Sequence, residues 1–175
     1  MRNMPSVNYI KAIFTGFLAI YGILCARSGT SFLDRVNLIA HEAGHLLFGY
    51  MGQFIGICGG TIGQLLVPAA IAFYFYARRE FYSAAVMVFW FGQNMFNISA
   101  YVKDASAMAL PLVSIGGGDA IHDWNYLLRT LHILNWDQAI GNVIYGLGIL
   151  IILVSVVLGF WLSFDREEPI DSADA

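Results

Sequence analysis

Residues 32–57 read FLDRVNLIAHEAGHLLFGYMGQFIGI: a charged pair near the start, His41-Glu42-Ala43-Gly44-His45 in the middle, and apolar residues thereafter. The stretch is predicted to form one helix from Phe32 to Ile57, longer than the roughly 20 residues that cross a bilayer. On a helix His41 and His45 lie four residues apart and project from the same face, one turn from each other. That spacing lets two imidazoles grip one metal ion, with Glu42 close enough to act on water bound to it.

Chance is a weak rival to this reading. In a chain with four His and four Glu, His-Glu-x-x-His is expected only about 0.002 times. Energetics point the same way, because charged groups cost about 2.5–3.5 kcal/mol each on membrane-insertion scales. A divalent cation is a good compensating partner. The plainer reading has the histidines hydrogen-bonded to neighbouring helices. Zinc lowers the pKa of its bound water to about 7, and a glutamate beside it can take the proton and pass it to a leaving amine. Each part of the motif therefore has a chemical reason.

Outward from this helix the chain stays apolar. Of its 175 residues 58% are hydrophobic and 12% charged, against about 25% charged in soluble domains, and the mean hydropathy is +0.66. The expected fold is an all-α, polytopic integral membrane helix bundle whose solvent is the lipid bilayer. Further helices are predicted over Tyr9–Ala26, Thr61–Ala77, Phe81–Tyr101 and Ala139–Phe164, giving about five transmembrane helices. The first reads as a retained signal anchor, since Leu24-Cys25-Ala26 is a poor cleavage site. Gly59-Gly60 is read as a tight turn. A shorter element from Asp119 to Leu134 is expected to be re-entrant or interfacial. Residues 1–164 then form one domain, and 165–175 a polar, disordered tail.

The net charge of −3 comes with no basic patch, which argues against nucleic acid as a partner. Cys25 and Cys58 lie in apolar stretches with no Cys-x-x-Cys pair and read as buried thiols. Lys and Arg divide four against five between the two sides, so no orientation follows.

A catalytic zinc site keeps three protein ligands and one open position. The third ligand is sought in Asp119-Ala120-Ile121-His122-Asp123-Trp124, which follows three glycines that permit close approach to another helix. His122 and Asp123 point about 100° apart on a helix, so one is expected to ligate and the other to support it. Asp123 is placed ahead of His122, and the choice stays open. Asp119 is read either as a helix N-cap or as a supporting group on the face of Asp123. His132 is a less favoured candidate in an ordinary amphipathic setting. Asn94, Asn97 and Tyr101 share one helix face. With Gln64 they could line a wet pocket and offer hydrogen bonds to an extended substrate. Their plainer role is interhelical hydrogen bonding.

His41-Glu42-Ala43-Gly44-His45, followed by Gly59-Gly60 and Pro68, resembles the intramembrane metallopeptidases of the site-2 protease type, and more closely their small peptidase M50B-like relatives. The resemblance covers roughly residues 31–130. It implies that His41, His45 and a carboxylate from a later helix bind zinc, that Glu42 is the general base, and that the substrate is a membrane-anchored protein or peptide. The chain departs from that family in lacking its Asn-Pro…Leu-Asp-Gly segment, and has Gly-Gly-Gly-Asp…His-Asp-Trp instead. It also has no PDZ-like insertion.

Two other functions fit the same residues. One is a zinc hydrolase acting on a lipid or small amide. The other is a non-catalytic metal-binding scaffold or degenerate relative, in which His41, His45, His122 and Asp123 fill all four positions. A transporter fits less well, for want of an internal repeat, and a di-iron enzyme would need more histidines.

Overall fold

The computed structural model describes residues 6–28, 30–111 and 121–165. Six α-helices account for most of them: α1 (Tyr9–Ser28), α2 (Asp34–Phe48), α3 (Gln53–Ala77), α4 (Phe81–Lys103), α5 (Asp123–Thr130) and α6 (Asp137–Trp161). Two short strands, β1 (Ser6–Val7) and β2 (Phe164–Asp165), pair antiparallel. Asp119, the three glycines before it and the polar tail beyond Asp165 lie outside the described residues.

The helix expected from Phe32 to Ile57 divides in two. After α2 a 3-10 turn over Gly49–Met51 leads to Gly52, whose φ of 99° only glycine adopts readily. The turn is therefore at Gly52, and Gly59-Gly60, read from the sequence as a turn, lies inside α3. Packing explains the difference. A Cβ on Gly44 would collide with the Gly59 carbonyl, and one on Gly63 would come within 2.6 Å of the Ala40 carbonyl oxygen. The glycines let the backbones of α2 and α3 touch, as small residues do between membrane helices. Among the described residues of the element expected over 119–134, the α-helix runs from Asp123 to Thr130.

Helix α4 is the axis of the bundle. It packs along α6 and also touches α1, α2, α3 and α5, while α2 rests on α3. Two apolar clusters hold it. Cys25, Phe89, Phe96 and Ile152 join α1, α4 and α6. Ile98, Val102, Ala105 and Leu128 join the end of α4 to α5, with Leu65 and Ile144 against them.

Contacts fix the helix directions. Thr15 meets Tyr82 and Gly22 meets Phe89, so α1 runs parallel to α4. Gln93 bonds Asp34, and the Tyr101 ring lies 6.2 Å from that of His41, so α2 also runs parallel to α4. Helices α1 and α2 thus follow one another in the same sense. The pairs Ser6↔Asp165 and Val7↔Phe164 bring the outer ends of α1 and α6 together.

Among the described residues, three helices are long and apolar enough to cross a membrane: α1, α3 and the stretch Leu134–Trp161. Their outward surfaces carry the side chains lipid favours, among them Ile13, Phe17, Ile20, Phe73, Leu150 and Val157. The 15 residues of α2 rise about 22 Å, short of a 30 Å hydrocarbon core.

Candidate metal centre

Four helices meet around His41 and His45. Helix α2 presents both imidazoles on one face, α3 presents Gly60 and Gln64, α4 presents Asn97 and Tyr101, and α5 presents Asp123. The His41 Nε2 atom lies 2.8 Å from Asp123 Oδ2, and His45 Nε2 lies 3.2 Å from the same oxygen. One ligand atom from each of the three residues falls within 4.8 Å of the others, a grouping that could hold a metal ion. A tetrahedral zinc with bonds of about 2.0–2.1 Å sets its ligand atoms about 3.3 Å apart.

The opposite edges of the two rings decide which atoms face inward. His45 Nδ1 lies 2.8 Å from the Gly56 carbonyl oxygen. That oxygen can only accept, so Nδ1 carries the proton. His41 Nδ1 lies 3.3 Å from Gln64 Oε1, and Gln64 Nε2 donates to Asn97 Oδ1 at 2.9 Å. In the neutral rings both Nε2 atoms therefore point a lone pair toward a carboxylate oxygen. Three acceptors then converge with no donor between them, and either a proton on an imidazole or a bound cation supplies the positive charge that joins them. An outer hydrogen bond of this type is the usual companion of a metal-ligating histidine.

Gly60 leaves the room. A Cβ there would sit 2.5 Å from His41 Nε2 and 2.6 Å from His45 Nε2, within the space a bound ion needs. The donor set and the space both fit a divalent metal ion: imidazole nitrogens and carboxylate oxygens are among the ligands that zinc accepts. Glu42 follows His41 on α2, is half-buried, and interacts electrostatically with His45 and Tyr101.

The other sequence candidates divide. Gln64, Asn97 and Tyr101 do reach the centre, but as its supports. Gln64 and Asn97 hold His41, and the Tyr101 hydroxyl accepts from the Asp123 backbone N–H at 3.1 Å. Asn94 donates to the Trp90 carbonyl of its own helix, and its fully buried Oδ1 has no hydrogen-bond partner. His122 faces away from the histidine pair. Its Nδ1 accepts from the Asn125 N–H at 3.2 Å, and its Nε2 lies 3.2 Å from Asp104 Oδ2. His132 is exposed, with a φ of 60°, beyond the end of α5.

Two contributors were missed by sequence reasoning. Gly60 is one. The spacing of Gly56, Gly60 and Gln64, each four apart, would have placed them on one face had α3 been started earlier. Asp104 is the other, just past α4, where it also accepts from the N–H groups of Ala109 and Leu110. Burial pushes its carboxyl up, but the Leu110 and Ala109 N–H groups and the His122 ring outweigh burial and hold it below its ordinary pKa.

Comparisons with protein-family models, with curated proteins and with solved structures find no match to this chain.

Proposed function

We propose that this chain is a multi-pass membrane zinc metallopeptidase that hydrolyses a peptide bond in or near a membrane-anchored segment. The observation that carries the reading is the convergence of His41 Nε2, His45 Nε2 and Asp123 Oδ2, with both Nδ1 atoms already engaged. Zinc held there supplies Lewis acidity toward a carbonyl and toward water. The Glu42 carboxylate takes a proton from the attacking water and returns it to the leaving amine nitrogen. Among the described residues no hydrogen bond occupies that carboxylate. Three protein donors are the pattern of a catalytic site, whereas a structural zinc is normally closed by four. His122, the candidate for a fourth, is engaged with Asp104 and Asn125.

The bundle in this proposal crosses the bilayer four times, in place of the five crossings expected from hydropathy. Pairing of β1 with β2 brings the outer ends of α1 and α6 together, which supports an even number. Helices α1 and α2 run the same way and form one interrupted crossing, and α3, α4 and α6 supply the rest. The centre then lies toward the end of α4 opposite the paired strands, near the polar residues Lys103, Asp104 and Asp137. Water reaches a site near one membrane face far more easily than one at mid-depth.

The test is metal content and cleavage in protein purified in detergent. About one zinc per chain is expected in the wild type and in Glu42→Gln, and none in His45→Ala. Cleavage of a co-reconstituted single-span test protein is expected to vanish in Glu42→Gln, by at least about 100-fold. A wild type that takes up no zinc when it is supplied ends the reading.

A further inference from the structure

The third donor sits on the least self-sufficient element of the molecule. Helix α5 has eight residues, far fewer than the roughly 12–15 at which an isolated helix becomes even marginal. Something must fix its first turn if the Asp123 carboxylate is to meet His41 and His45. The last turn of α4 and the two residues after it do so through three bonds. The Tyr101 hydroxyl accepts from the Asp123 N–H, Asp104 Oδ2 pairs with His122 Nε2, and the Ala105 carbonyl accepts from Asn125 Nδ2 at 2.7 Å.

We propose that His122 is a positioning residue which, tied to Asp104, caps α5 and so delivers Asp123 to the metal centre. The inference rests on the metal-centre reading of His41, His45 and Asp123. His122 occupies the N-cap of α5 with extended backbone, φ −78° and ψ 102°, and its ring accepts from the Asn125 N–H. Histidine is not among the residues favoured there: Ser, Thr, Asp and Asn cap better. What the imidazole adds is a second functional edge. Because Nδ1 accepts, the ring proton is on Nε2, and that edge donates to Asp104. A Ser or Asn could close the cap but is too short to reach back to α4. The imidazole is 2% exposed and the Asp104 side chain 10%, so solvent competes little for the bond. The Tyr101 ring lies 4.3 Å from that of His122 and confines it further.

The test is zinc affinity of the full chain in detergent, measured against a competing chelator for His122→Ala, Asp104→Ala, the double variant and His122→Asn. Each single alanine is expected to weaken zinc about 10- to 100-fold, as loss of an outer hydrogen-bond partner does. The double variant should be no worse than the weaker single, because both remove one connection. His122→Asn restores the cap alone and is expected to recover part of the loss. The cobalt-substituted protein should show a visible spectrum altered in His122→Ala and closer to wild type in His122→Asn.

Affinity in His122→Ala within about twofold of wild type overturns the proposal. So does complete loss of zinc matching His45→Ala, which would make His122 a ligand. A wild type without zinc removes the metal-centre reading instead. Hydrogen exchange at the Asn125 amide then decides: protection that survives His122→Ala overturns the positioning role, and protection lost in both single alanines upholds it.

Discussion

Helix α4 touches two buried polar clusters, and they are built on opposite principles. In the first, near the middle of the helix, the Trp90 indole N–H donates to Asn37 Oδ1 and Asn37 Nδ2 donates to Gln93 Oε1. Gln93 Nε2 then donates to Ser31 Oγ and Asp34 Oδ1, while Ser31 closes back on Asp34. Each of these donors has an acceptor. In the second, one to two turns further along, Gln64 and the Gly56 carbonyl engage the outer edges of His41 and His45, Asn97 accepts from Gln64, and Tyr101 accepts from the Asp123 backbone N–H. Their inner edges face one another as acceptors. The first cluster is complete as it stands and fastens the start of α2 to α4. The second is short of positive charge, which a proton on an imidazole or a bound cation supplies. Polarity inside a membrane bundle is therefore a weak mark of function, whereas an unbalanced count of donors and acceptors is a strong one.

The largest expected effect breaks the second cluster alone. Asp123→Ala removes the oxygen on which both Nε2 atoms converge, and zinc affinity is expected to fall by more than about 100-fold. The fold should survive, because α5 keeps Leu127 and Leu128 buried against its neighbours. Titration against a chelator, with circular dichroism as the fold control, checks both. Unchanged zinc binding in this variant would leave the centre no different in kind from the first cluster.

A smaller effect is expected from Gly60→Ala. Alanine is the better helix former by about 1 kcal/mol, so α3 gains nothing but helicity from propensity. Its Cβ, however, would fall within 2.6 Å of both Nε2 atoms. Zinc affinity is expected to drop at least about 10-fold with helical content unchanged. Equal loss of both would mean that Gly60 serves the contact between α2 and α3 rather than the space for an ion.

What the sequence revealed tracks how local each signal is. The pair His41 and His45 is legible because both imidazoles lie on one turn of one helix, and the apolar runs of α1, α3 and α6 are legible because they are continuous. Asp123 emerged only as one of two neighbours, since the choice depends on which way α5 faces, and that is set by Tyr101 and Asp104 some 20 residues earlier. The break at Gly52 and the helical Gly59-Gly60 were read in reverse. Both are glycine-rich, and only contact with α2 tells a close approach from a turn. The proposed count of four crossings differs from the five expected from hydropathy for a related reason. Hydropathy registers that α2 is apolar but not that it runs in the same direction as α1.

The smallest effect tests the first cluster, through Gln93→Leu. Leucine matches the volume and suits a membrane helix, but it leaves the Asn37 amide and the Ser31–Asp34 pair without their partner. An unsatisfied buried group costs about 1–3 kcal/mol, while hydrogen bonds between membrane helices are worth less, near 0.6 kcal/mol on average. A loss of about 1–2 kcal/mol of stability is expected, read from the unfolding midpoint in mixed micelles, with zinc affinity within about threefold of wild type. The split between these two readouts carries the argument. Asn37 lies one turn before His41 on α2, so a cluster that set the register of that helix would lower zinc affinity as well. Stability lost without affinity means that the contact of Gly44 with Gly59 and Gly63 suffices to place the histidines. A joint loss of stability and affinity would mean that the two clusters act as one device, with the metal centre held from both ends of α2.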